Sequence, residues 1–443
     1  MLNRYLGNKQ SIMTPLLASV AEYAQPGDHV ADVFSGSLSV SMGLKNAGYQ
    51  VTSNDVNLFS AVLADAYLVP TSTAPTDAAA LVSASELDAM RAEARTQAES
   101  LRDSTGFHFL ESVQMRAQYV EFLAVLNYLA EVDYDDLPAA HRRSDFYDAY
   151  CEDGAHSAFV STRGTTGNRR FFSPGNARRI DLILNTIRWW KQEDRLDPHT
   201  YALLLSTLLR GVEKVSNTQG TYHDFPRTTW DSRALQTLTL IPPAMDAVVA
   251  GIGGHSAGRE QDSLNFVSSI DKHKLLYLDP PYNFRQYSAY YFMPNVICRY
   301  PEIEDLDDYF GKLRYVRGQN PEDDFVSTFC KPSHFIQDLT TLIARADCDT
   351  VMISYFTGKN HWSGFESSTN DVGQVMLSAM LTSDAFVPGS FTVKEVPRKN
   401  YASYGGFKAR NINELILVAR VRQAEDHANT TSGRTEHGLQ TVA

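Results

Sequence analysis

The residues with the most chemical content are Asp279-Pro280-Pro281-Tyr282, which follow directly on Lys274-Leu275-Leu276-Tyr277-Leu278, a run that reads as a buried strand. An acid, a stiff proline turn and an aromatic ring in four consecutive positions suit an amino group carried on a planar base. Asp279 can accept a hydrogen bond from that amino group, the Pro280 carbonyl can accept the second, and Tyr282 can stack on the ring. Two acceptors draw the nitrogen lone pair out of conjugation. The nitrogen can then attack a methyl group in line, with positioning and electrostatics supplying most of the rate. The prolines keep the turn stiff and withhold backbone donors that would compete for the acceptors. Pro-Pro is also a common turn former, so the bland alternative is a rigid end to a strand. With 18 Pro and 22 Tyr in 443 residues, chance yields this tetrapeptide on the order of once in a few hundred such chains. Its place after a strand makes chance weaker still, because ligands of open α/β sheets sit beyond the carboxyl ends of strands.

A second cluster is Asp32-Val33-Phe34-Ser35-Gly36-Ser37, followed by Asn54-Asp55. A small-residue turn at a helix start lets backbone approach a cofactor, and an acid about twenty residues on can meet a ribose hydroxyl pair. Taken alone, such a turn is more often plain scaffolding. The elements around it are legible. Ile12, Leu16, Val20 and Tyr23 fall at helical spacing between Lys9 and Ala24, and Pro26-Gly27 stops the run. His29 to Phe34 reads as a strand, Leu38 to Ala47 as a helix ended by Gly48, and Tyr49 to Ser53 as the next strand. Strand, glycine-bearing turn, helix and strand make a βαβ unit, which implies a parallel sheet with a right-handed crossover.

From Pro70 to about Tyr150 the chain is rich in Ala, Glu and Arg at helical spacing. Between Arg163 and Lys191 seven basic residues face one acid, Asp181. Arg169-Arg170-Phe171-Phe172 and Arg188-Trp189-Trp190-Lys191 interleave cations with rings, a pattern able to hold phosphates and stack bases. For the Trp pair the better reading is a helix that turns its indoles into the core. A second basic stretch runs through Arg398-Lys399-Asn400-Tyr401 and Lys408-Ala409-Arg410. Strands return at Lys274 to Leu278, Thr350 to Tyr355, Thr392 to Val396 and Glu414 to Val418. The expected organisation is a discontinuous sheet-bearing domain from residues 1–69 and 255–422, a mainly helical insert over 70–254, and a flexible tail over 423–443.

Hydrophobic residues make up 43% and charged residues 21%, ordinary for a folding chain, and 52 acids against 40 bases give a formal charge of -12. That excludes a uniformly basic nucleic-acid coat but not a local basic groove. No apolar run approaches the 18 or so residues of a membrane span, and the start MLNRYLGNKQSIM lacks an apolar signal core, so a cytoplasmic location is expected. Cys151, Cys298, Cys330 and Cys348 form no CxxC pair, and the twelve histidines show no ligand spacing. Buried thiols and no metal site follow. There is no Pro-Cys dipeptide for cytosine carbon-5 methylation, no HExxH and no phosphate-binding P-loop. A dehydrogenase would suit the first βαβ unit but leaves the Asp-Pro-Pro-Tyr turn unexplained.

Arg4-Tyr5-Leu6-Gly7-Asn8-Lys9, then Asp32 to Ser37, Asn54-Asp55 and Asp279 to Tyr282 occur in the order found in Dam-like S-adenosylmethionine-dependent DNA adenine methyltransferases, which the chain resembles. Asn283-Phe284-Arg285-Gln286-Tyr287, Arg170 to Asn176 and Val215-Ser216-Asn217-Thr218 extend the resemblance to restriction-modification adenine methylases of the FokI-like group, over roughly residues 1 to 420. The resemblance implies a class I, Rossmann-like mixed α/β sheet with a large inserted target-recognition domain. It implies that Tyr5, Gly7 and Lys9 flank the methionine end of the cofactor, that Asp32, Phe34 and Gly36 line its pocket, that Asp55 meets its ribose and Asp262 its adenine. Asp279, Pro280, Pro281 and Tyr282 would be the catalytic turn. Arg169, Arg170, Arg178, Arg285 and Lys399 are the expected contacts to double-stranded DNA. The departure is Leu38, where the family usually has a second glycine and where a leucine side chain narrows the approach to the cofactor.

The expected reaction is methylation of the exocyclic amino group of adenine in a specific duplex sequence. DNA binding should weaken steeply with salt as phosphate neutralisation releases counterions. A cognate restriction endonuclease stays open as a partner. Rival readings are the same chemistry on RNA or on the cytosine amino group, a catalytically silent DNA-binding homologue, and, last, a protein-amide methyltransferase, which typically has Asn in place of Asp279.

Overall fold

A computed structural model of the chain describes residues 5–72, 76–249, 251–358, 360–362, 371–399 and 411–423. Arg4, the basic stretch Lys408, Ala409 and Arg410, and residues 424–443 of the expected tail lie outside the described residues, and Lys399 is described as backbone only. The strands are β1 (His29–Asp32), β2 (Gln50–Ser53), β3 (Ala158–Val160), β4 (Thr166–Asn168), β5 (Ser256–Ala257), β6 (His273–Leu278), β7 (Cys348–Phe356), β8 (Thr392–Lys399) and β9 (Asn411–Arg420). The chain divides into two units. The first comprises Met1–Gln10, Ser35–Gln261 and Gln286–Val326; the second comprises Ser11–Phe34, Asp262–Arg285 and Ser327–Ala443. The fold is mixed α/β with mostly parallel strand pairing, as a class I methyltransferase requires.

In the second unit β6 pairs in parallel with β1 on one side and β7 on the other, and β9 and then β8 add antiparallel strands beyond β7. The central strands are apolar almost without alternation, as strands covered on both faces must be. Leu275, Leu276, Leu278, Val351, Met352 and Ile353 are wholly buried. The helix Phe335–Arg345 buries Phe335, Leu339, Leu342 and Ile343, the stripe of a surface helix laid on that core.

The first unit is mainly helical outside the parallel pair β2 and β5 and the hairpin of β3 with β4. Its helix Pro198–Val215 starts where Asp197 accepts the N–H groups of His199 and Thr200 at 3.0 and 2.9 Å. Those donors would otherwise be orphaned in the first turn. Lys45 is wholly buried, and its ammonium donates to the carbonyls of Tyr67, Leu68, Pro70 and Val248 at 2.7–3.1 Å. Burial lowers this lysine to about 8. The helix Pro174–Gln192 turns Trp190 inward, where it is wholly buried and stacks on Tyr128 at 5.8 Å.

Asp181, on that same helix, is wholly buried, with its carboxylate accepting from the Tyr134 hydroxyl at 2.8 Å and the Phe146 N–H at 3.0 Å. Burial pushes its carboxyl up to about 8, against the pull of those donors. Between about pH 4 and 8 the folded chain therefore keeps a proton that the unfolded chain has lost. Stability should fall as pH rises, by up to ~1.4 kcal/mol per unit. Asp181→Asn should flatten that slope, which urea-unfolding midpoints at pH 5 and pH 8 would measure. Parallel pH profiles for the two proteins would contradict it.

All four cysteines are buried and unpaired with one another. Burial raises Cys330 and Cys348 to about 12, so neither thiol is poised for reaction. Among the described residues no helix is long and apolar enough to cross a membrane.

Candidate functional site

Asp279 to Tyr282 leave the carboxyl end of β6 within the second unit. The pair Asp32↔Tyr277 brings the end of β1 level with that exit, and β7, paired Leu278↔Ile353, runs on beyond it to Phe356. Asp279 and Pro281 are partly exposed, whereas Pro280 is buried and Tyr282 is 8% exposed. The Tyr282 ring is fixed by Phe356, 5.7 Å away at 34°, and by the edge of Tyr355 at 6.3 Å. Burial first, then the negative charges of Glu414 and Asp279, holds its phenol far above the ordinary range, so it stays neutral. An acid at the rim of a strand end beside an anchored ring can hold a flat amino-bearing group.

Three residues that the sequence did not assign to this turn support it. His361 places Nε2 2.9 Å from the Phe329 carbonyl, and the Pro281 backbone is among the groups that act on its imidazole. Burial holds it below the ordinary histidine value. Glu414, with no exposed surface, accepts from Arg398 at 2.7 Å, and the Arg398 guanidinium lies 5.6 Å from the centre of the Phe356 ring. Arg398, read as part of a basic stretch, is thus turned inward. No motif marks these residues; the only signal was an acid at position 414 in an otherwise apolar strand.

The other expected site residues of the second unit are Asp32, Phe34 and Asp262. Asp32 ends β1 and is 1% exposed. Phe34 meets Phe329 edge-on at 5.2 Å. Asp262 caps the short helix Ser263–Phe266 by accepting from the Leu264 N–H at 3.1 Å, and the Ser263 hydroxyl donates to the Val33 carbonyl at 2.7 Å.

The first unit holds Tyr5, Gly7, Lys9, Gly36 and Asp55. Tyr5 stacks on Tyr291 at 4.5 Å, and its ring lies so close to Gly36 that a Cβ there would sit 2.6–2.8 Å from it. Gly36 also has φ +48°, a second reason for glycine. The Asp55 carboxylate accepts the Gly36 N–H at 2.9 Å and the Asn57 backbone and side-chain N–H groups at 2.9 and 2.8 Å. Burial raises its carboxyl while those donors pull it back. A turn whose backbone is open to a ring and whose N–H is tied to an acid is a cradle suited to a small cofactor. Lys9 is 1% exposed, and Gly7 has φ +83°. Leu38 occupies the left-handed region at φ +67°, where a side chain costs on the order of 1–2 kcal/mol. That conformation is one a glycine would adopt without strain. Here the leucine side chain is wholly buried, so the core absorbs the departure.

The basic segment is corrected in part. Arg169, expected at DNA, is 4% exposed, and its guanidinium donates to the carbonyls of Ala149, His156, Tyr315 and Val316. It ties backbone around Ala149, His156 and Tyr315-Val316 together within the first unit and has little surface to offer a phosphate. Arg170 pairs with Glu152 at 2.6 Å beneath Trp230. Arg178 is exposed, 5.7 Å from the Tyr134 ring, and Arg285 is partly exposed beside Phe284.

The family model for D12 class N6 adenine-specific DNA methyltransferases matches residues 5–322. The type II methyltransferase M.FokI of Planomicrobium okeanokoites is 26% identical over 417 residues, covering 94% of this chain and 52% of that protein. M.NlaIII of Neisseria lactamica is 34% identical over 192 residues, 43% of this chain and 53% of that protein. The modification methylase LlaI of Lactococcus lactis is 26% identical over 353 residues, 80% of this chain and 46% of that protein. The chain spans about half the length of these curated relatives.

Proposed function

Because the chain belongs to the D12 class of N6 adenine-specific DNA methyltransferases, we propose that it transfers a methyl group from S-adenosylmethionine to the exocyclic amino nitrogen of adenine in a specific duplex sequence. It does so in the cytoplasm as part of a restriction-modification or other phage-defence system, whose companion endonuclease would be its functional partner. The observation that carries this reading is Asp279 at the carboxyl end of β6, flanked by the parallel strands β1 and β7. When bound, S-adenosylmethionine supplies an electrophilic methyl carbon on a sulfonium. Asp279 accepts one amino N–H and the Pro280 carbonyl accepts the other, freeing the nitrogen lone pair for attack. The carboxylate of Asp279 is then at hand for the proton that the nitrogen sheds. Pro281 and the anchored Tyr282 keep that geometry fixed against thermal wander.

Tyr5, Gly7 and Lys9 flank the methionine end of the cofactor, and Asp32, Phe34 and Gly36 line its pocket. Asp55 meets a ribose hydroxyl: of about four lone-pair sites on a carboxylate, three are taken by Gly36 and Asn57. Asp262 approaches the cofactor adenine. Arg178, Arg285 and Lys399 contact DNA, and residues 70–254 carry target recognition.

The test is to express the protein in a bacterial host free of DNA methylation and sequence the host genome by a method that reports modified bases. N6-methyladenine at one short motif is the expected result. Methylation of cytosine amino groups instead would move the reading to the other base, and an unmodified genome beside folded protein would overturn it.

A further inference from the structure

Phe329 and Cys330 close the short helical turn Thr328–Cys330 of the second unit, and each is 3% exposed. Three contacts leave this pair. The Phe329 ring meets Phe34 edge-on at 5.2 Å. The Phe329 carbonyl lies 2.9 Å from His361 Nε2, and the Cys330 thiol donates to the Arg285 carbonyl at 3.1 Å. A carbonyl can only accept, so Nε2 carries the proton of the imidazole. His361 is itself held edge-on by the rings of Phe335 and Trp362, at 5.3 and 5.4 Å. The Trp362 N–H donates to the Asn360 side chain, whose amide donates to the buried Asp371 carboxylate at 2.7 Å.

These contacts converge on the segment that follows Asp279. Its far end, Arg285, is tied to Cys330, and its near end, Pro281, acts through its backbone on the imidazole that Phe329 holds. The same Phe329 carries the ring that backs Phe34, a residue expected in the cofactor pocket. The turn that would hold the amino group and a wall of the pocket that would hold the methyl donor thus lean on two adjacent residues. Methyl transfer depends on the spacing of those two groups, and a misplacement of about 1 Å can cost on the order of 100-fold in rate. We propose that Phe329, Cys330 and His361 form a brace that sets the Asp279–Tyr282 turn against Phe34, making Phe329 and His361 positioning residues for methyl transfer. This rests on the adenine-methylation reading above.

The test compares wild type with His361→Gln, His361→Asn and Phe329→Leu on a duplex carrying the genomic target motif, with calorimetric binding of S-adenosylhomocysteine alongside. Glutamine keeps an amide N–H at the reach of Nε2; asparagine draws it back. His361→Asn should lower kcat roughly 10- to 100-fold with KM for DNA and the Kd for S-adenosylhomocysteine within threefold of wild type, whereas His361→Gln should keep kcat within about threefold. Phe329→Leu should lower kcat and also weaken S-adenosylhomocysteine binding roughly three- to tenfold, the scale of one lost aromatic pair. Residues that merely filled the core would lower the melting temperature without dividing the variants in this way. With wild type active, equal kcat for His361→Gln and His361→Asn, or unchanged cofactor binding by Phe329→Leu, would overturn the brace alone. A wild-type protein that binds S-adenosylhomocysteine yet methylates no adenine would overturn the adenine-methylation reading and the inference with it.

Discussion

Asp279→Ala should lower the turnover of methyl transfer by at least roughly 10²- to 10³-fold, the scale seen when one electrostatic group is removed from a reacting centre. The reasoning starts from position. Asp279 follows the last residue of β6 and is partly exposed, so the strand and its core do not depend on the carboxylate. The chemistry does, because an aniline-like amino group is a poor nucleophile until both of its hydrogens are held by acceptors. Alanine leaves only the Pro280 carbonyl. Asp279→Asn keeps an oxygen in place but no charge, and should fall between wild type and alanine. If the carboxylate acts mainly on the reacting nitrogen, the loss lies in kcat, with KM for DNA within a few-fold of wild type. A purified variant that folds normally and keeps kcat within threefold of wild type would remove Asp279 from the chemistry.

The turn was legible because its parts are local. Asp279 to Tyr282 are contiguous, and the strand before them declares itself by five apolar or amphipathic residues in a row. The same holds for β1, the helix after Gly36 and β2, where glycines and alternating apolar residues mark the boundaries to within a few residues. What supports the turn was hidden for the opposite reason. His361 reaches Pro281 from 80 positions away, and Arg398 meets Glu414 across a hairpin whose register no short motif fixes. Arg169 shows the limit of reading charge. A run of basic residues says that cations are present, but not that the backbone will offer four carbonyls to one of them. Leu38 is the reverse case, since its left-handed backbone accounts for the expected glycine without that glycine being there.

Breaking the Arg398–Glu414 pair should cost about 3–5 kcal/mol of stability from either side, whereas replacing both residues should cost far less. In the β8–β9 ladder Glu414 lies opposite Val396 and Arg398 opposite Ile412. The pair is therefore a diagonal one, and such neighbours lie within reach of long side chains. The Glu414 side chain has no exposed surface and that of Arg398 is 16% exposed, so little water is left to screen the attraction. Arg398→Met strands a carboxylate in the core; Glu414→Met strands a guanidinium over Phe356. The double variant Arg398→Met with Glu414→Met removes both charges and fills the space with apolar volume. Urea unfolding of the four proteins gives the coupling directly. A double variant recovering at least about 2 kcal/mol of the summed losses is expected, and strictly additive losses would mean that the two charges do not depend on each other. The pair also bears on the site, because Phe356 is the ring against which Tyr282 rests. The double variant, less destabilised than the two single losses together would make it, should still hold the base less firmly than wild type, with a higher KM for DNA. A KM equal to that of wild type would confine Arg398 and Glu414 to holding the sheet.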